Sequence, residues 1–400
     1  MLPAGWEIAS LDELYDFSNG INADKSAFGS GVPFINVLEI ITRETLDDSL
    51  IPGRVTLPAA AIKRYQVRHG DVLFNRTSET QDEVALSSVY LGDSEPVFGG
   101  FVFRAQAKTK RLLAEYAAYA LRARYVREQV VARGQGGIRA NVSQRDLNAV
   151  RLLLPSPNEQ QSIAEALADA SRHCSMLELA IVKKQAMKQG MMQQLFMSSA
   201  DSVLRCPLGE VCGFLSGGTP DRSNGEYWSG DIPWISASTL KDIEVSHSDQ
   251  VVTSRAVRAG SRMAPLNSTL LLVRGSALHS EIRASLVVAP VCFNQDVKAL
   301  MPSSSLEPKF LTYSIHANAP VLLRLVTSAG NTAGVLDTKI LGRFEIWIPD
   351  RDTQLNAISI LDDFTAELHA LRLRLEKARD VKQGMMQELL TGRTRLAVQE

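Results

Sequence analysis

Two arginines follow short apolar segments that are typical of β-strands. Arg76 ends the segment 70–76, Gly-Asp-Val-Leu-Phe-Asn-Arg, and Arg274 ends the segment 270–274, Leu-Leu-Leu-Val-Arg. A guanidinium group carries donors in a fixed fork, which matches the O6 and N7 acceptors of guanine in the DNA major groove. A single arginine at a strand end is more often a solvated or salt-bridged residue, and that alternative stays open.

Further polar and basic residues complete the predicted DNA-contacting set. An asparagine amide pairs with N6 and N7 of adenine, and a lysine or arginine neutralises phosphate. The set comprises Lys25, Asn75, Arg139, Asn141, Arg222, Asn331 and Lys339. The net charge of the whole chain is only −1, but residues 104–151 contain eleven Arg or Lys against three acids. This surplus predicts a local phosphate-binding patch.

One octapeptide occurs twice. Residues 188–195, Lys-Gln-Gly-Met-Met-Gln-Gln-Leu, return as residues 382–389 with one substitution, 194 positions later. Adjacent methionines form adaptable contact surfaces, whereas lysines favour the last turn of a helix. Docking of a partner protein and packing of helix on helix are both open interpretations. The predicted docking residues are Lys188, Met191, Met192, Lys382, Met385 and Met386.

The sequence lacks the common motifs of catalysis on nucleic acids. There is no GxxxxGK[ST] phosphate loop, no HExxH, and no Pro-Pro dipeptide of the kind that adenine methyltransferases place in their active sites. The four cysteines form no CxxC pair, and the six histidines are scattered singly. We therefore predict a chain that is not an enzyme and that binds neither a metal nor a cofactor of its own.

The elements that position these residues also come in two copies. Residues 32–36 match 232–236, and residues 150–155 match 344–349, whereas the loops 22–31 and 218–230 differ. We predict two mixed α/β domains over 1–155 and 201–349. Within the first, apolar spacing predicts an amphipathic turn over 11–17, a strand over 33–38 and one helix over 111–133, ended by the glycines of 134–137.

Each α/β domain is followed by the pattern of a long helix. Ser156 fits an N-cap, Pro157 the first turn and Glu159 a capping box. Apolar residues then alternate in steps of four and three, which predicts a coiled-coil seam on a helix of about forty residues, or ~60 Å. The first seam is 163, 167, 170, 174, 177 and 181, and the second is 361, 364, 368, 371, 375 and 378.

These patterns predict an α+β fold with two pseudo-twofold-related domains separated by two long antiparallel helices. The spacer helices are predicted over 156–200 and 350–395. A twofold object with two separated binding domains suits duplex DNA, whose half-sites on one face are ~34–36 Å apart per turn. The chain has no apolar run of ~18 residues and no signal-peptide pattern, so we expect a cytoplasmic protein without a membrane span.

The order of domain, long helix, domain and long helix resembles the specificity (S) subunit of type I restriction–modification enzymes. So do the local phrases at 70–76, 152–161 and 293–296, together with the repeated octapeptide. The resemblance covers essentially the whole chain. It departs at 267–269, where Asn-Ser-Thr replaces the Gly-Asp opening, and at 352–354, where Asp-Thr-Gln replaces Glu-Gln-Gln.

The resemblance implies two target-recognition domains, each binding half of a bipartite, asymmetric site in double-stranded DNA. It also implies that the helices set the half-site spacing and bind two modification (methyltransferase) subunits, which recruit ATP-driven restriction subunits. S-adenosylmethionine, ATP and Mg²⁺ would belong to those partners. Two other classes remain open, namely a scaffold of two protein-binding domains and a stand-alone nuclease.

Overall fold

The computed structural model describes residues 2–133, 140–196, 205–329 and 333–396. The chain forms two compact units. Unit 1 comprises Met1–Glu178 and Leu373–Glu400, and unit 2 comprises Leu179–Arg372. Each unit therefore contains one α/β portion and a stretch of both long helices. The predicted division into two recognition domains and two spacer helices remains a prediction.

The described part of unit 1 begins with short strands and helices and leads into the first long helix. Its strands are β1 (Glu7–Ser10), β2 (Tyr15–Asn19), β3 (Phe28–Ile35), β4 (Thr45–Leu46), β5 (Arg54–Val55), β6 (Val72–Asn75), β7 (Thr77–Ser78), β8 (Ser87–Tyr90), β9 (Val97–Phe98), β10 (Val102–Ala107), β11 (Ala140–Asn141) and β12 (Arg151–Leu154). The helices are α1 (Leu11–Leu14), α2 (Val37–Thr42), α3 (Ala59–Tyr65), α4 (Ala114–Ala120), α5 (Arg124–Val131), α6 (Gln144–Asn148) and the long helix α7 (Pro157–Phe196).

The second half of the chain repeats this plan. Its strands are β13 (Arg205–Pro207), β14 (Cys212–Ser216), β15 (Ile232–Ile235), β16 (Glu244–Val245), β17 (Val251–Val252), β18 (Thr269–Leu272), β19 (Arg274–Gly275), β20 (Ala284–Val287), β21 (Cys292–Phe293), β22 (Val297–Pro302), β23 (Thr327–Ala329), β24 (Ala333–Val335) and β25 (Glu345–Trp347). The helices are α8 (Leu208–Val211), α9 (Ser254–Ala259), α10 (Pro308–Ala317), α11 (Ala319–Arg324), α12 (Thr338–Gly342) and the long helix α13 (Arg351–Leu389).

The two units have the same sheet topology. The central sheet of unit 1 has the order β2-β10-β6-β8-β4, and that of unit 2 has the order β14-β22-β18-β20-β16. In both sheets the last pair is parallel and the other pairs are antiparallel. A second sheet, β5-β3-β9 or β17-β15-β21, accompanies each. The duplication seen in the sequence is therefore a duplication of the fold.

The hydrophobic core of each unit forms around its two central strands. All residues of β6 and β8 are buried, as are all residues of β18 and β20. Helix α4 packs on β8 in unit 1, and α10 packs on β20 in unit 2. The sequences of these strands are continuous runs of apolar or small residues, because both faces of each strand are covered. Burial of one such large side chain contributes roughly 1.5–3 kcal/mol.

The long helices pack against each other in antiparallel fashion within each unit. In unit 1, Arg379 Nη2 lies 2.6 Å from Glu178 Oε1, and Arg395 binds Glu159. In unit 2, Lys188 Nζ donates to Thr365 Oγ1 at 2.7 Å. All positions of the two predicted seams are buried or half-buried. Helix α7 has 40 residues, so the predicted seams and the predicted helix length are confirmed.

One buried glutamine links each long helix to its α/β portion. The Gln160 amide donates to the carbonyls of Arg111 and Pro155 at 2.8 and 3.0 Å, and its Oε1 accepts from the Leu113 N–H at 2.9 Å. The side chain is fully buried. All three partners are backbone groups: those of Arg111 and Leu113 precede α4, and that of Pro155 precedes α7.

Gln354 makes the same three contacts in unit 2. Its amide donates to Ser305 O and Pro349 O at 3.0 and 2.9 Å, and its Oε1 accepts from the Glu307 N–H at 2.8 Å. Every partner is displaced by 194 positions from its counterpart around Gln160. The departure at 352–354 therefore leaves the structural glutamine in place.

The single helix predicted over 111–133 is wrong, because the segment forms α4 and α5 with a break between them. Ala123 has an extended backbone at the start of α5. The preceding Arg122 turns its guanidinium inward and donates to the carbonyls of Ser87, Ile40 and Arg43. Satisfying three carbonyls fixes the side chain in a position that a continuous helix does not provide. The glycine turn at 134–137 lies outside the described residues.

Three smaller predictions also change. The strand predicted over 33–38 ends at Ile35, because Asn36 and Glu39 form a capping box that starts α2. The turn predicted over 11–17 is the helix α1 followed by β2. Ser156 does cap α7, with its Oγ accepting from the Glu159 N–H at 3.4 Å, but the Glu159 carboxylate binds Trp6 Nε1 and Arg395 instead of completing a capping box.

Replacing Gln160 by leucine should lower the stability of unit 1. The leucine fits the volume but leaves two carbonyls and one N–H buried without a partner, at a cost of about 1–3 kcal/mol each where no water replaces the amide. We expect a clear fall in the urea midpoint of Gln160→Leu. Gln161→Leu is the matched control, because Gln161 is exposed and bonds only Glu165. Equal midpoints for the two variants would contradict the role of the buried amide.

Candidate nucleic-acid interface

Arg76 leaves the central sheet of unit 1 at the end of β6. Its backbone N–H donates to Phe101 O at 2.8 Å, and its guanidinium lies over the Phe103 ring at 5.4 Å from the centroid. The side chain is exposed. The next two residues form β7, which pairs with β11 and brings Asn141 opposite Thr77. The strand end thus presents one cation and one amide together.

These side chains border a surface cavity of about 440 Å³ in unit 1. Its lining consists of Asn22, Arg76, Thr77, Gly100, Phe101 and Asn141. The Thr77 hydroxyl donates to Asn141 Oδ1 at 2.8 Å. Arg76 and Asn141 belong to the predicted DNA-contacting set, whereas the other four lining residues do not. The cavity combines a guanidinium group, amides, a hydroxyl group and one exposed aromatic ring, a mixture that suits the edge of a base pair.

Arg274 lies one residue beyond the matching strand end in unit 2. Asp296 O accepts from the Val273 N–H at 2.8 Å, as Phe101 O accepts from the Arg76 N–H, and it also accepts from the Arg274 N–H at 3.2 Å. β19 pairs with β24, which places Arg274 opposite Val335. The Arg274 side chain is exposed. The strand registers place Val273 at the position of Arg76 and Arg274 at that of Thr77. The predicted match of the two arginines is therefore wrong by one residue, although each unit has an exposed arginine beside this strand end.

Close packing of backbone on backbone places the loops beside these arginines. A Cβ at Gly20 would lie 2.0 Å from Gly99 O, and a Cβ at Gly217 would lie 2.2 Å from Asn294 O. Only glycine fits at such a distance. The same contact in both units holds the segment after β2 or β14 against the chain that follows β9 or β21.

Asn75 does not belong to the interface. It is buried, and its Oδ1 accepts from the Ala85 N–H at 2.9 Å. Ala85 has a φ of 52°, a left-handed conformation that is strained for an alanine. The Asn75 amide therefore holds a turn inside unit 1 and is not accessible to a base. Its adjacency to Arg76 in sequence misled the prediction, since alternate residues of a strand face opposite sides.

The other predicted contacts are spread over the loops. Lys25 and Lys339 are exposed. The Arg222 guanidinium lies 5.0 Å from the Trp228 ring and 5.3 Å from the Trp234 ring, which orients it by cation–π attraction. Arg139 and Asn331 lie outside the described residues, so both stay predictions.

An edge-to-face aromatic pair supports the variable loop of each unit. In unit 2 the ring centroids of Trp228 and Trp234 are 5.1 Å apart, and in unit 1 those of Phe28 and Phe34 are 5.2 Å apart. Such pairs contribute about 0.5–1.5 kcal/mol beyond the area they bury. The loops that differ in sequence are thus anchored in the same way.

The basic surplus of 104–151 is used largely within unit 1, and its role in phosphate binding stays a prediction. Most of its cations bind partners within unit 1: Arg104 to Gln66 O, Lys108 to Asp16, Arg111 to Glu7, Arg122 to three carbonyls, Arg124 to Glu128, Arg127 to Asp82 O and Val84 O, and Arg133 to Gln129 O. Burial lowers the pKa of Arg122, and it lowers that of Arg127 to about 10. These groups stabilise the fold.

The repeated octapeptide packs within its own unit. Met192 is buried in the core of unit 2 and Met386 in that of unit 1, and Met191 and Met385 pack against the same cores. This is the helix-packing interpretation of the repeat. Partner docking through the remaining accessible parts of these residues stays a prediction.

The two lysines of the repeat have different partners. Lys382 Nζ lies 2.6 Å from Glu44 Oε1, with 16% and 26% of the two side chains exposed. Burial of Glu44 opposes its ionisation, but Lys382 and Arg122 outweigh burial and lower the pKa of the Glu44 carboxyl. Lys188 instead bonds the Thr365 hydroxyl and lies over the Tyr313 ring, and burial lowers its pKa.

Two further findings concern the described ranges alone. In them, no three His, Cys, Asp or Glu side chains come together in a way that would hold a metal ion. None of the helices they contain combines the length and the apolar character needed to cross a bilayer.

Part of the chain matches a known class of DNA-specificity domain. Residues 205–376 match the family model of the type I restriction modification DNA specificity domain. The predicted resemblance to type I specificity subunits is therefore confirmed. The family model covers most of unit 2. Unit 1 has the same sheet topology as unit 2.

Individual relatives belong to the same class. The chain is 30% identical over 178 residues to the type I restriction enzyme EcoR124I/EcoR124II specificity subunit of Escherichia coli, covering 44% of each chain. It is 29% identical over 161 residues to the type I restriction enzyme MjaIX specificity subunit of Methanocaldococcus jannaschii, covering 39% of this chain and 36% of that one. The matched stretches thus span less than half of these relatives.

Solved structures extend the likeness over nearly the full chain. A chain from the complex assembly and conformational transition of a type I R-M system aligns with a TM-score of 0.63 at 17% identity, covering 98% of this chain and 100% of that one. The type I restriction-modification S subunit from M. genitalium aligns with a TM-score of 0.56 at 15% identity, covering 96% of both. At these identities the likeness establishes the fold.

Substitutions at Asn75 and Arg76 should have clearly different effects on the free energy of unfolding. Asn75→Ala removes the Oδ1 acceptor that holds the Ala85 N–H, so we expect a loss of about 1–2 kcal/mol in the free energy of unfolding. Arg76→Ala removes an exposed side chain and should change that free energy by less than ~0.5 kcal/mol. Urea unfolding followed by circular dichroism measures both. A larger loss for Arg76→Ala would assign Arg76 a structural role instead.

The Lys382–Glu44 pair should give an acid-dependent signature. Because the folded-state pKa of Glu44 is lowered, its stabilisation is present above the ordinary carboxyl pKa of about 4.3 and is lost as the pH falls through the folded value. Lys382→Met should cost roughly 1–3 kcal/mol at pH 7, a discounted figure for a half-buried pair. The difference in the free energy of unfolding between Lys382→Met and the unmodified protein should become smaller below about pH 4.

Lys188→Met is the matched control for that measurement. It removes the equivalent lysine of unit 2, whose bonded partner is a hydroxyl group. We expect its stability difference from the unmodified protein to change little between pH 7 and about pH 4. If the stability difference from the unmodified protein decreased in the same way at low pH for both variants, the Lys382–Glu44 pair would not be the cause of the pH dependence.

Proposed function

We propose that this chain is the specificity subunit of a type I restriction–modification complex and that each unit binds one half of a bipartite, asymmetric DNA site. The presence of one exposed arginine beside the same strand end in each unit carries this proposal. Two units of one topology place Arg76 and Arg274 one register position apart at this strand end, beside loops that differ in sequence. A common scaffold with different loops gives two different base sequences.

The charge distribution supports the proposal that base contacts and phosphate contacts come largely from different subunits. The net charge is −1, and most basic groups of 104–151 bind partners within unit 1. Phosphate contacts dominate the affinity of proteins for DNA, whereas base contacts provide the specificity. In this proposal the chain supplies base contacts, and much of the phosphate neutralisation comes from partner subunits.

The partners follow from the same proposal. Two modification subunits dock on the long helices, and restriction subunits join through them. S-adenosylmethionine, ATP and Mg²⁺ act on those subunits, and this chain provides no catalytic residue. The complex works on cytoplasmic DNA. The likeness of 205–376 to a DNA specificity domain supports this assignment over a protein scaffold.

Variants of the two arginines test the assignment one half-site at a time. Arg76→Ala should relax the base preference at one position in one half of the methylated motif, and Arg274→Ala should do so in the other half. Loss of a bidentate contact to guanine costs about 1–3 kcal/mol of discrimination. Sequencing of modified bases in host genomes that carry the complete system measures the motif directly.

Arg124→Ala is the control for this experiment. Arg124 is an exposed arginine of unit 1 that pairs with Glu128 on α5, so its removal should leave the motif unchanged. If Arg76→Ala and Arg274→Ala weaken modification at all sites equally, the arginines contact phosphate. Mg²⁺-dependent cleavage by the purified chain alone would contradict the non-catalytic assignment, and a chain that co-purifies with no DNA-modifying subunit would favour the scaffold.

A further inference from the structure

One exposed aromatic residue borders the cavity of unit 1 and has no role in the core. Phe101 leaves 60% of its surface exposed, although it adjoins the buried strand β10. The ring is therefore accessible to a ligand and contributes little burial to the core. It lines the same cavity as Arg76, Thr77 and Asn141. An apolar side chain among hydrogen-bonding groups suits a surface that has both apolar and polar parts.

The backbone fixes Phe101 beside Arg76. Its carbonyl accepts the Arg76 N–H at 2.8 Å, immediately before β10 begins. Phe103, two residues on, is buried and lies beneath the Arg76 guanidinium. The arginine is thus oriented by one ring and flanked by another. Phe101 cannot move away from the strand end without breaking this hydrogen bond.

Unit 2 places a different chemistry at the same position. There Asp296 O accepts the N–H of Arg274 at 3.2 Å and that of Val273 at 2.8 Å. The Asp296 side chain is half-buried. The matched position thus carries an apolar ring in one unit and a carboxylate in the other. The major groove presents thymine C5-methyl groups to apolar side chains and cytosine N4 amino groups to carboxylates.

We propose that position 101 in unit 1, matched by 296 in unit 2, is a specificity-determining position: Phe101 contacts a thymine methyl next to the base pair bound by Arg76. Asp296 accepts from a cytosine amino group in the other half-site. This inference rests on the proposed function. It adds a second, chemically defined base preference to each half-site.

A methyl-deletion cycle tests the contact. The protein is purified with its partner subunits and titrated with DNA duplexes that contain the motif methylated by the complex. In each duplex of the series, one thymine of the half-site assigned to unit 1 is replaced by deoxyuridine. At one position the unmodified protein should lose about fourfold in affinity, because one buried methyl group is removed. Phe101→Ala should lose affinity for the thymine duplex and show no further loss with deoxyuridine. Phe101→Leu should retain part of the difference.

The controls separate this inference from the proposed function. Ile8→Ala removes another exposed apolar side chain of unit 1, 51% exposed and in the separate β1–β12 sheet, and should leave the thymine preference intact. Asp296→Asn should change a cytosine position in the other half-site only. Specific binding with no deoxyuridine effect, or an equal effect in Phe101→Ala, overturns the inference alone. Absence of any sequence-specific binding overturns the proposed function as well.

Discussion

A buried glutamine amide fixes the geometry on which each unit depends. Gln160 and Gln354 lie near the start of the long helices, and each satisfies two carbonyls and one N–H at the corner where the last sheet strand passes into the helix. An unpaired backbone group in this position would cost more than the bond itself contributes. The amide therefore sets the direction of the helix relative to the sheet, and the coiled-coil seam can extend from there.

Internal electrostatics explain why charge composition is a poor guide to this surface. Arg122 and Arg127 bind carbonyl groups inside unit 1, and burial lowers the pKa of both. Each replaces several backbone hydrogen bonds that irregular segments cannot make among themselves. Lys382 similarly pairs with Glu44. Arg76 and Arg274 are exposed, so the basic residues that a nucleic acid can reach cannot be counted from composition alone.

The two units combine a conserved frame with independent surface chemistry. Gly20 and Gly217 make the same close backbone contact, and the aromatic pairs behind the loops have nearly equal separations. On that frame, unit 1 carries Phe101 and unit 2 carries Asp296 beside the strand-end arginine. A frame that tolerates such exchange lets each half-site change without disturbing the helices. This separation matches what a bipartite recognition protein requires.

The sequence by itself determined the duplication, the seams and the start of α7, because heptad spacing and an N-cap are local patterns that depend on residues three or four apart. It also identified the strand-end arginines. Only the tertiary structure decided that Asn75 is buried, that the segment 111–133 breaks at Arg122, and that Met192 and Met386 fill cores. These outcomes depend on which carbonyls and cavities come from distant parts of the chain. Local patterns carry no such information.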